Sequence, residues 1–481
     1  MIKKIVSILK QYEERTAFNI SKKHYTYKEL EFRIVEIQQE IIKHKTQEPV
    51  VIIYDNNFDS YASILAVLFL GTGFIPINPL NPLERNIKIL RKTESKLILN
   101  TTPHSYFNLP HEILTKSISS SENRIIYNAE DSDLAYIFFT SGSTGEPKGV
   151  PVKISNLNAF LMGFNKLEFE TDYKDKFLQM FELTFDLSVF SYLYPLTIGA
   201  CVYTVPNIGL KYGEVLKILT NENISFALMV PSIINSLKPY FKQIKLPNLK
   251  YSLFCGEALL MDNALGWNKC TPNGKTFNVY GPTEATIFCT SYEVREDSKE
   301  YNGIVSIGKA MFNTKLSIES KNTSNLERNQ KGELILSGGQ VVKEYFKNEE
   351  KSLECFSTKD NVNSYKTGDI CFTDIDGDYF YVGRIDSQVQ IQGFRVELSE
   401  VEYEISSQTH LNTSVITIDD DTKIIAFVEG DVNLDILLQG LREQLPDYMI
   451  PKKIISIKKL PLNKNGKVDK NKLKSYVKSN L

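Results

Sequence analysis

The sequence predicts an α/β fold, with a large N-terminal domain of α/β subdomains with parallel sheets and a small C-terminal α+β domain. The chain has 481 residues, 42% of them hydrophobic, which is enough for two or more globular domains. Strand and helix patterns alternate near its start, as is typical of parallel sheets covered by helices. Short strand and helix patterns fill residues 386–481, which is enough for a small second domain.

The first elements follow in order along the N-terminal part of the chain. Residues 25–43 carry a helical pattern, and the apolar run 50–54 suits a buried strand. Apolar residues from 61 to 69 recur at i, i+3, i+4, i+7 and i+8, which predicts one face of an amphipathic helix. Two glycines end this helix, and residues 74–77 form the next strand. This succession predicts parallel strands joined by helices.

Composition excludes several classes of function. The net charge of −2 gives no overall attraction to nucleic acid, and no apolar run is long enough to span a bilayer. The six cysteines form no C-x-x-C pair, so neither a zinc site nor a disulfide framework is indicated, and reduced thiols in a cytoplasm fit best. The five histidines lie away from the motifs below, which argues against histidine-based catalysis.

A loop rich in glycine and hydroxyl groups follows the apolar run 136–139. Residues 140–148 read Thr-Ser-Gly-Ser-Thr-Gly-Glu-Pro-Lys. Glycines let backbone N–H groups approach an anion, hydroxyls add donors, and the lysine adds positive charge. The Gly-Lys-Ser/Thr of a Walker motif is missing at its required offset. The loop therefore predicts a phosphate site of another kind, formed by Thr140, Ser141, Gly142, Ser143, Thr144, Gly145 and Lys148.

Further strings with chemical potential lie downstream. Asp186 stands inside the apolar stretch Phe-Asp-Leu-Ser-Val, where a charge is either solvated or buried beside a cationic partner. Two strand patterns run into glycine turns, as Leu-Phe-Cys-Gly-Glu-Ala at 253–258 and Asn-Val-Tyr-Gly-Pro-Thr-Glu at 278–284. Tyr-Lys-Thr-Gly-Asp ends at Asp369, Gly-Arg-Ile-Asp ends at Asp386, and Leu-Pro-Leu-Asn-Lys-Asn-Gly-Lys ends at Lys467.

In this order, the strings resemble the motifs of the ANL superfamily, which includes acyl-CoA synthetases, nonribosomal-peptide adenylation domains and luciferases. The resemblance extends from Tyr25 to Lys467, and Asn78 stands where the family usually has Asp. It implies an acetyl-CoA synthetase-like fold, with an AMP-binding core over 1–385 and a mobile lid domain over 386–481. The hinge between them would be Asp386.

The resemblance also implies ATP and Mg²⁺ as cofactors and assigns the residues of the site. Glu284 would hold the metal, since Mg²⁺ prefers carboxylate and phosphate oxygens. Tyr280 would stack on adenine, Asn278 would meet the base edge, and Asp369 would accept the ribose hydroxyl protons. The catalytic residues would be Lys467, Thr283, Glu284 and Arg384. The other nucleotide contacts, besides the loop 140–148, would be Gly256, Glu257, Ala258, Val279 and Gly281.

A matching of the family's substrate pocket assigns Asp186 to the α-ammonium of an amino acid. The remaining lining would be Leu187, Phe190, Ser232, Leu253, Cys255, Val279, Ile287, Phe288 and Lys467. Several of these residues are bulky, so a small substrate side chain is expected. The strings around Asp186 and Cys255 most resemble those of ligases that load D-alanine onto a carrier protein. D-Alanine is therefore the first prediction, and another amino acid of a natural-product pathway is the alternative.

The reaction implied has two steps. The amino-acid carboxylate attacks the α-phosphate of ATP to give aminoacyl-AMP and pyrophosphate, and a thiol then displaces AMP to give a thioester. No carrier domain follows Lys467, so a separate carrier protein with a phosphopantetheine arm is the expected acceptor. The arm would pass Gly393, where Gln390 and Gln392 replace the family's usual basic residues. The ten lysines between residues 452 and 481 suit an acidic carrier.

Two other classes share parts of this pattern. An acyl- or aryl-CoA synthetase would have the same nucleotide motifs, but such enzymes generally lack the aspartate at position 186. A non-catalytic nucleotide binder is disfavoured because Lys148, Glu284, Asp369 and Lys467 are all present. Neither nucleic acid nor membrane is expected as a partner.

Overall fold

A computed structural model describes residues 2–46, 48–120, 124–142, 146–206, 210–319, 330–386, 388–418, 423–462 and 468–480. The chain divides into two compact units. The first comprises Met1–Asn78, Thr93–Phe138 and Gly149–Ile385, and the second comprises Pro79–Lys92, Phe139–Lys148 and Asp386–Leu481. Two short segments from the N-terminal part of the sequence thus belong to the same unit as the C-terminal residues.

The helices and strands of the described residues alternate along most of the chain. The helices are α1 (Lys3–Gln11), α2 (Tyr27–His44), α3 (Phe58–Leu70), α4 (Leu83–Thr93), α5 (Ile154–Asn165), α6 (Leu187–Ile198), α7 (Lys211–Asn221), α8 (Pro231–Leu237), α9 (Met261–Cys270), α10 (Glu349–Cys355), α11 (Leu398–Thr409), α12 (Leu434–Gln444) and α13 (Lys470–Asn480). The strands up to residue 254 are β1 (Thr16–Ile20), β2 (Lys23–Thr26), β3 (Val50–Ile53), β4 (Phe74–Ile77), β5 (Ile98–Asn100), β6 (Glu112–Leu114), β7 (Leu134–Thr140), β8 (Lys148–Lys153), β9 (Lys176–Gln179), β10 (Cys201–Thr204), β11 (Phe226–Met229) and β12 (Tyr251–Phe254). The later strands are β13 (Lys275–Tyr280), β14 (Thr290–Val294), β15 (Glu300–Tyr301), β16 (Ile304–Val305), β17 (Lys309–Ala310), β18 (Thr314–Glu319), β19 (Gly332–Gly338), β20 (Phe356–Lys359), β21 (Val362–Thr373), β22 (Tyr379–Arg384), β23 (Gln388–Ile391), β24 (Phe394–Glu397), β25 (Thr413–Ile418), β26 (Lys423–Glu429) and β27 (Lys453–Ile457).

Two sheets with parallel pairing confirm the predicted α/β class. One has the strand order β17-β14-β13-β12-β11-β9-β10-β1-β2, and the other has the order β6-β5-β3-β4-β7-β8. In the first sheet β1, β10, β9, β11, β12 and β13 pair in parallel, so their carboxyl ends meet at one edge. Loops at such an edge are where α/β proteins bind ligands. The segments that begin at residues 180, 255 and 281 leave this edge.

The predicted elements near the N-terminus are confirmed, with one correction. α2, β3 and β4 lie where the patterns placed them, and a capping box between Thr26 and Glu29 begins α2. The helix α3 is not amphipathic, because every residue from Ser60 to Phe69 is buried. It packs against α2 on one side and against β3 and β4 on the other. A helix covered on both sides has no solvated face, which the apolar spacing alone did not reveal.

The second unit has its own core. Strands β25, β26 and β27 form its sheet, and buried side chains of α11 and α12 pack in the same core. Strands β23 and β24 form a hairpin whose two turn residues, Gln392 and Gly393, have φ of 52° and 86°. This is the turn that two-residue hairpins favour, and glycine adopts it readily. Among the described residues, no helix is long and apolar enough to cross a bilayer.

Candidate functional site

Asp186 lies directly before α6, in the loop that follows β9. Its side chain is only 4% exposed, and its Oδ2 has no hydrogen-bond partner among the described residues. Burial raises the pKa of Asp186 to about 7, although hydrogen bonding from Thr283 opposes this rise. The charge of Glu284 raises it further. A buried carboxylate with a free oxygen is stabilised when a cation binds it, so this residue is suited to an ammonium group.

The residues that the sequence grouped around Asp186 are almost all buried. Burial, and after it the Asp186 charge, raises the pKa of the Cys255 thiol, so this thiol stays protonated and acts as a small apolar group. Hydrogen bonding from the backbone N–H of Ile287 lowers the pKa of the Asp186 carboxyl. Ser232, at the start of α8, is partly exposed, and its backbone N–H donates to Glu257 at 2.6 Å. The other lining residues, each at most 2% exposed, are Leu187, Phe190, Leu253, Cys255, Val279, Ile287 and Phe288.

Aromatic rings fill one side of this group. The ring centroid of Phe288 lies 5.7 Å from that of Phe190 and 4.9 Å from that of Phe160. Phe164 lies 4.7 Å from Phe190, and all four side chains are buried. Because this cluster is already packed, little room remains for a large substrate side chain.

The segment after β13 carries Thr283 and Glu284. Gly281 is required here, because a Cβ on it would lie 2.4 Å from the Cα of Phe288. Glu284 is fully buried and accepts a 2.7 Å hydrogen bond from the Tyr345 hydroxyl. Its backbone carbonyl accepts from the N–H of Val342 at 3.0 Å. These contacts hold the Glu284 carboxylate, which is of the type that Mg²⁺ prefers, so this residue fits the predicted metal role.

Asp369, Arg384 and Tyr280 form one hydrogen-bonded group. Arg384 donates to Asp369 Oδ1 at 2.6 Å and to the Thr367 carbonyl at 3.1 Å. The Tyr280 hydroxyl donates to the other oxygen of Asp369, and burial together with the Asp369 charge keeps the pKa of Tyr280 well above its usual value. The structure thus brings together the side chains predicted to hold the ribose and the base.

The remaining predicted nucleotide contacts in this unit include the side-chain amide of Asn278 and the turn after β12, at residues 256–258. The Asn278 side-chain amide donates to the carbonyls of Val305 and Ser306 at 3.2 and 3.0 Å, so its oxygen is the atom left for a base. Gly256 has a φ of 88°, a conformation that glycine adopts without strain. Next to it, Glu257 is half-buried, whereas Ala258 is exposed.

In the second unit, two of the described residues in the segment 140–148 contact carboxylates. Lys148 forms a 3.0 Å ion pair with Glu397, and each side chain is only 7% exposed. The Ser141 hydroxyl donates to the Arg395 carbonyl at 2.9 Å and accepts from the Glu397 N–H at 3.1 Å. The N–H of Gly142 donates to Glu400 at 3.2 Å. Among the groups predicted to bind phosphate, Lys148 and Gly142 therefore bind anionic side chains in this structure, and Ser141 binds backbone groups.

Arg85 and Glu400 extend this group. Arg85, in the first turn of α4, donates to Glu400 at 2.7 Å, and both side chains are buried. Gln388 also donates to Glu397. The predicted residues Ser143, Thr144, Gly145 and Lys467 lie outside the described residues.

Several residues of these groups were not predicted from the sequence. Glu397 and Glu400 follow the Gly-Phe-Arg-Val string, but nothing in the spacing indicated that they would meet Lys148 and Gly142. Glu182 accepts a 2.9 Å hydrogen bond from the side-chain amide of Asn78, the residue that stands where the family usually has Asp. Tyr345 had no sequence signal that connected it with Glu284.

Comparisons with known proteins give a family match and relatives that cover nearly the whole chain. Residues 7–346 match the family model described as AMP-binding enzyme. The chain is 30% identical to a Staphylococcus epidermidis protein named D-alanine--D-alanyl carrier protein ligase, over 98% of this chain and 99% of that one. A protein of the same name from Lactiplantibacillus plantarum is 28% identical over 99% of both chains.

A solved structure gives a similar result. The Vibrio cholerae adenylation domain AlmE, in complex with glycyl-adenosine-5'-phosphate, matches with a TM-score of 0.89 and 26% identity. The match covers 99% of this chain and 97% of that one. An NRPS protein with adenylation and PCP domains, PA1221, matches with a TM-score of 0.87 at 22% identity, over 98% of this chain and 83% of that one, which supports the fold alone.

Proposed function

We propose that this chain, which belongs to the AMP-binding enzyme family, activates a small amino acid with ATP and loads it onto a separate carrier protein. D-Alanine is the first candidate substrate, as in the relatives named D-alanine--D-alanyl carrier protein ligase. The enzyme is a ligase that forms aminoacyl-AMP first and a thioester second. Its place of action is the cytoplasm, where its six cysteines stay reduced.

The observation that carries this proposal is the buried, unpaired Oδ2 of Asp186. An α-ammonium group is the cation that an amino acid would bring to it. Fatty and aryl acids have no such group, and they would leave a desolvated carboxylate without a partner. Asp186 therefore favours an amino acid over the substrates of an acyl- or aryl-CoA synthetase.

Substrate size follows from the aromatic cluster. Phe190 and Phe288 lie 5.7 Å apart between their ring centroids, and their packing limits the space beside Asp186. A methyl group or a hydrogen is compatible with this packing. AlmE, which was solved with a glycyl adenylate, makes glycine a specific second candidate.

In the first step, the amino-acid carboxylate attacks the α-phosphate of ATP, and pyrophosphate leaves. An anion attacks a polyanion here, so positive charge and hydrogen-bond donors lower the barrier. Thr283 donates to the α-phosphate, Arg384 and Lys467 supply charge, and Lys148 binds the leaving pyrophosphate. Mg²⁺ bound at Glu284 would neutralise phosphate charge.

In the second step, residues 386–481 rotate about Asp386 as a lid. The division of the chain at Ile385 and Asp386 supports this boundary. The hairpin at Gly393 then approaches the adenylate, and the phosphopantetheine thiol displaces AMP. An acidic carrier protein docks on the lysine-rich C-terminal residues, among which α13 carries Lys472 and Lys474.

ATP–pyrophosphate exchange with a panel of D- and L-amino acids tests this proposal. D-Alanine and glycine should support exchange, and residues as large as valine should support much less. Asp186→Asn, which keeps the side-chain shape, should abolish amino-acid-dependent exchange. Lack of exchange with every amino acid would contradict the proposed function, and dominant exchange with a large amino acid would favour the natural-product alternative.

A further inference from the structure

A strained loop lies between Glu284 and Phe288 in the sequence. Thr286 and Ile287 have φ of 57° and 75°, the left-handed region that β-branched residues rarely adopt. Such a conformation persists only where surrounding contacts hold it. The backbone N–H of Ile287 is a hydrogen-bond donor to the Asp186 carboxylate, and the ring of Phe288 packs on that of Phe190. The strained loop therefore sets both the polar and the apolar side of the pocket.

Gln340 supplies contacts that hold this loop. Its side chain is fully buried, and its Nε2 donates to the Phe288 carbonyl at 2.9 Å and to the Ala285 carbonyl at 3.3 Å. Its backbone carbonyl accepts from the Thr286 hydroxyl at 2.6 Å. One residue thus binds both ends of the left-handed pair.

Gln340 is itself fixed from behind. The Thr314 hydroxyl donates to its Oε1 at 3.0 Å, which orients the amide so that its nitrogen faces the loop. The Asn156 side chain donates to the carbonyls of Gly339 and Val341 at 2.8 and 3.3 Å, which holds the backbone on both sides of Gln340. A donor held in this way can keep two carbonyl groups in place.

We propose that Gln340 is a positioning residue for substrate specificity, because it holds Thr286 and Ile287 in their left-handed conformation and so keeps Phe288 against the amino-acid pocket. This role rests on the proposed function. Loss of Gln340 relaxes the loop, moves Phe288 away from Phe190 and leaves Asp186 without the Ile287 N–H.

Two variants separate hydrogen bonding from packing. Gln340→Glu keeps the shape but loses both N–H donors, and Gln340→Met keeps the length without polar atoms. In pyrophosphate exchange, each should raise KM for D-alanine about tenfold and reduce the preference for D-alanine over D-valine about tenfold. KM for ATP should stay within about threefold of the wild type, because the loop's contacts lie on the amino-acid side. Gln243→Met, at an exposed position, is the matched control.

Glycine at position 286 gives a rescue that a purely structural role would not show. Thr286→Gly adopts positive φ without steric strain, so in the Gln340→Met background it should recover part of the lost affinity for D-alanine. Where Gln340→Met does not fold, Thr314→Val gives a milder form and should raise KM for D-alanine about threefold. Equal losses for ATP and D-alanine, or an unchanged amino-acid preference in Gln340→Glu, would overturn the proposal.

Hydrogen–deuterium exchange of residues 284–289 tests the loop without activity. The N–H groups of Ala285, Thr286 and Cys289 are hydrogen-bonded within the loop, and they should exchange about tenfold faster in Gln340→Glu than in the wild type. Unchanged protection would overturn the role of Gln340 even if the wild type activated no amino acid. Faster loop exchange in an enzyme without amino-acid-dependent activity would retain the positioning role and reject only the proposed function.

Discussion

The ammonium group of Lys148 lies 3.0 Å from the carboxylate of Glu397 in the interior of the second unit. We propose that Lys148 binds pyrophosphate. In this structure, the carboxylate of Glu397 binds Lys148 instead. Ser141 and Gly142 make similar contacts with the backbone of residue 397 and the side chain of Glu400. ATP must therefore compete with these carboxylate and backbone groups for the loop.

Glu397→Gln removes the charge that opposes ATP at Lys148. Loss of one partner of a buried ion pair leaves the other uncompensated, so we expect a destabilisation of roughly 3 kcal/mol without nucleotide. ATP should restore the missing negative charge. The increase in melting temperature on adding ATP should therefore be larger in the variant than in the wild type. Glu402→Gln, whose ion pair with Lys470 is partly exposed, is the control, and equal ATP shifts in all three proteins would contradict the competition.

Lys148→Ala should reduce kcat/KM for ATP about 100-fold, because a positioned charge on the leaving pyrophosphate is lost. The relative rates with different amino acids should not change, since we propose that Asp186 and its neighbours set the selectivity. Steady-state exchange at varied ATP and varied amino acid separates the two effects. Lys343→Ala removes an exposed lysine and should change neither, whereas a changed amino-acid preference in Lys148→Ala would reject this division of roles.

The raised pKa of Asp186, about 7, predicts how stability depends on pH. The native state binds the Asp186 proton more tightly than the unfolded state, whose aspartate titrates near pH ~3.9. Asp186 therefore lowers stability progressively as pH rises from about 4 to about 7, by up to ~4 kcal/mol. Asp186→Asn should thus be more stable than the wild type at pH 8 and equally stable near pH 4. Urea unfolding at both values measures this, and a variant less stable than the wild type at pH 8 would contradict it.

Charge reversal in α13 tests the docking of the carrier protein. Lys472→Glu and Lys474→Glu together should raise KM for an acidic carrier about tenfold, and the increase should shrink at high salt. Exchange of pyrophosphate, which needs no carrier, should be unaffected. Lys343→Glu adds negative charge in the first unit and serves as the control. An unchanged KM for the carrier would reject this surface as the docking site.

The sequence predicted the parallel sheets because strand patterns are local features, whereas the grouping of Asp186 with Cys255 and Phe288 came from the resemblance to the ANL superfamily. The prediction that α3 is amphipathic was wrong, because side chains from distant parts of the chain cover the face that was expected to be solvated. The ion pair of Lys148 with Glu397 joins residues 249 positions apart, and no periodicity reports such a contact. The same reason hid Gln340, whose buried amide reaches a loop more than fifty positions earlier.

Pyrophosphate exchange with D-alanine, D-lactate and propionate tests directly whether the Asp186 carboxylate selects an amino acid. The three acids have nearly the same size, but only D-alanine carries the ammonium group that Asp186 would bind. Wild-type enzyme should support exchange with D-alanine and not with the other two, and Asp186→Asn should lose the D-alanine-dependent rate. Equal exchange with D-alanine and propionate, or full D-alanine activity in Asp186→Asn, would show that the buried Asp186 carboxylate does not select an amino acid.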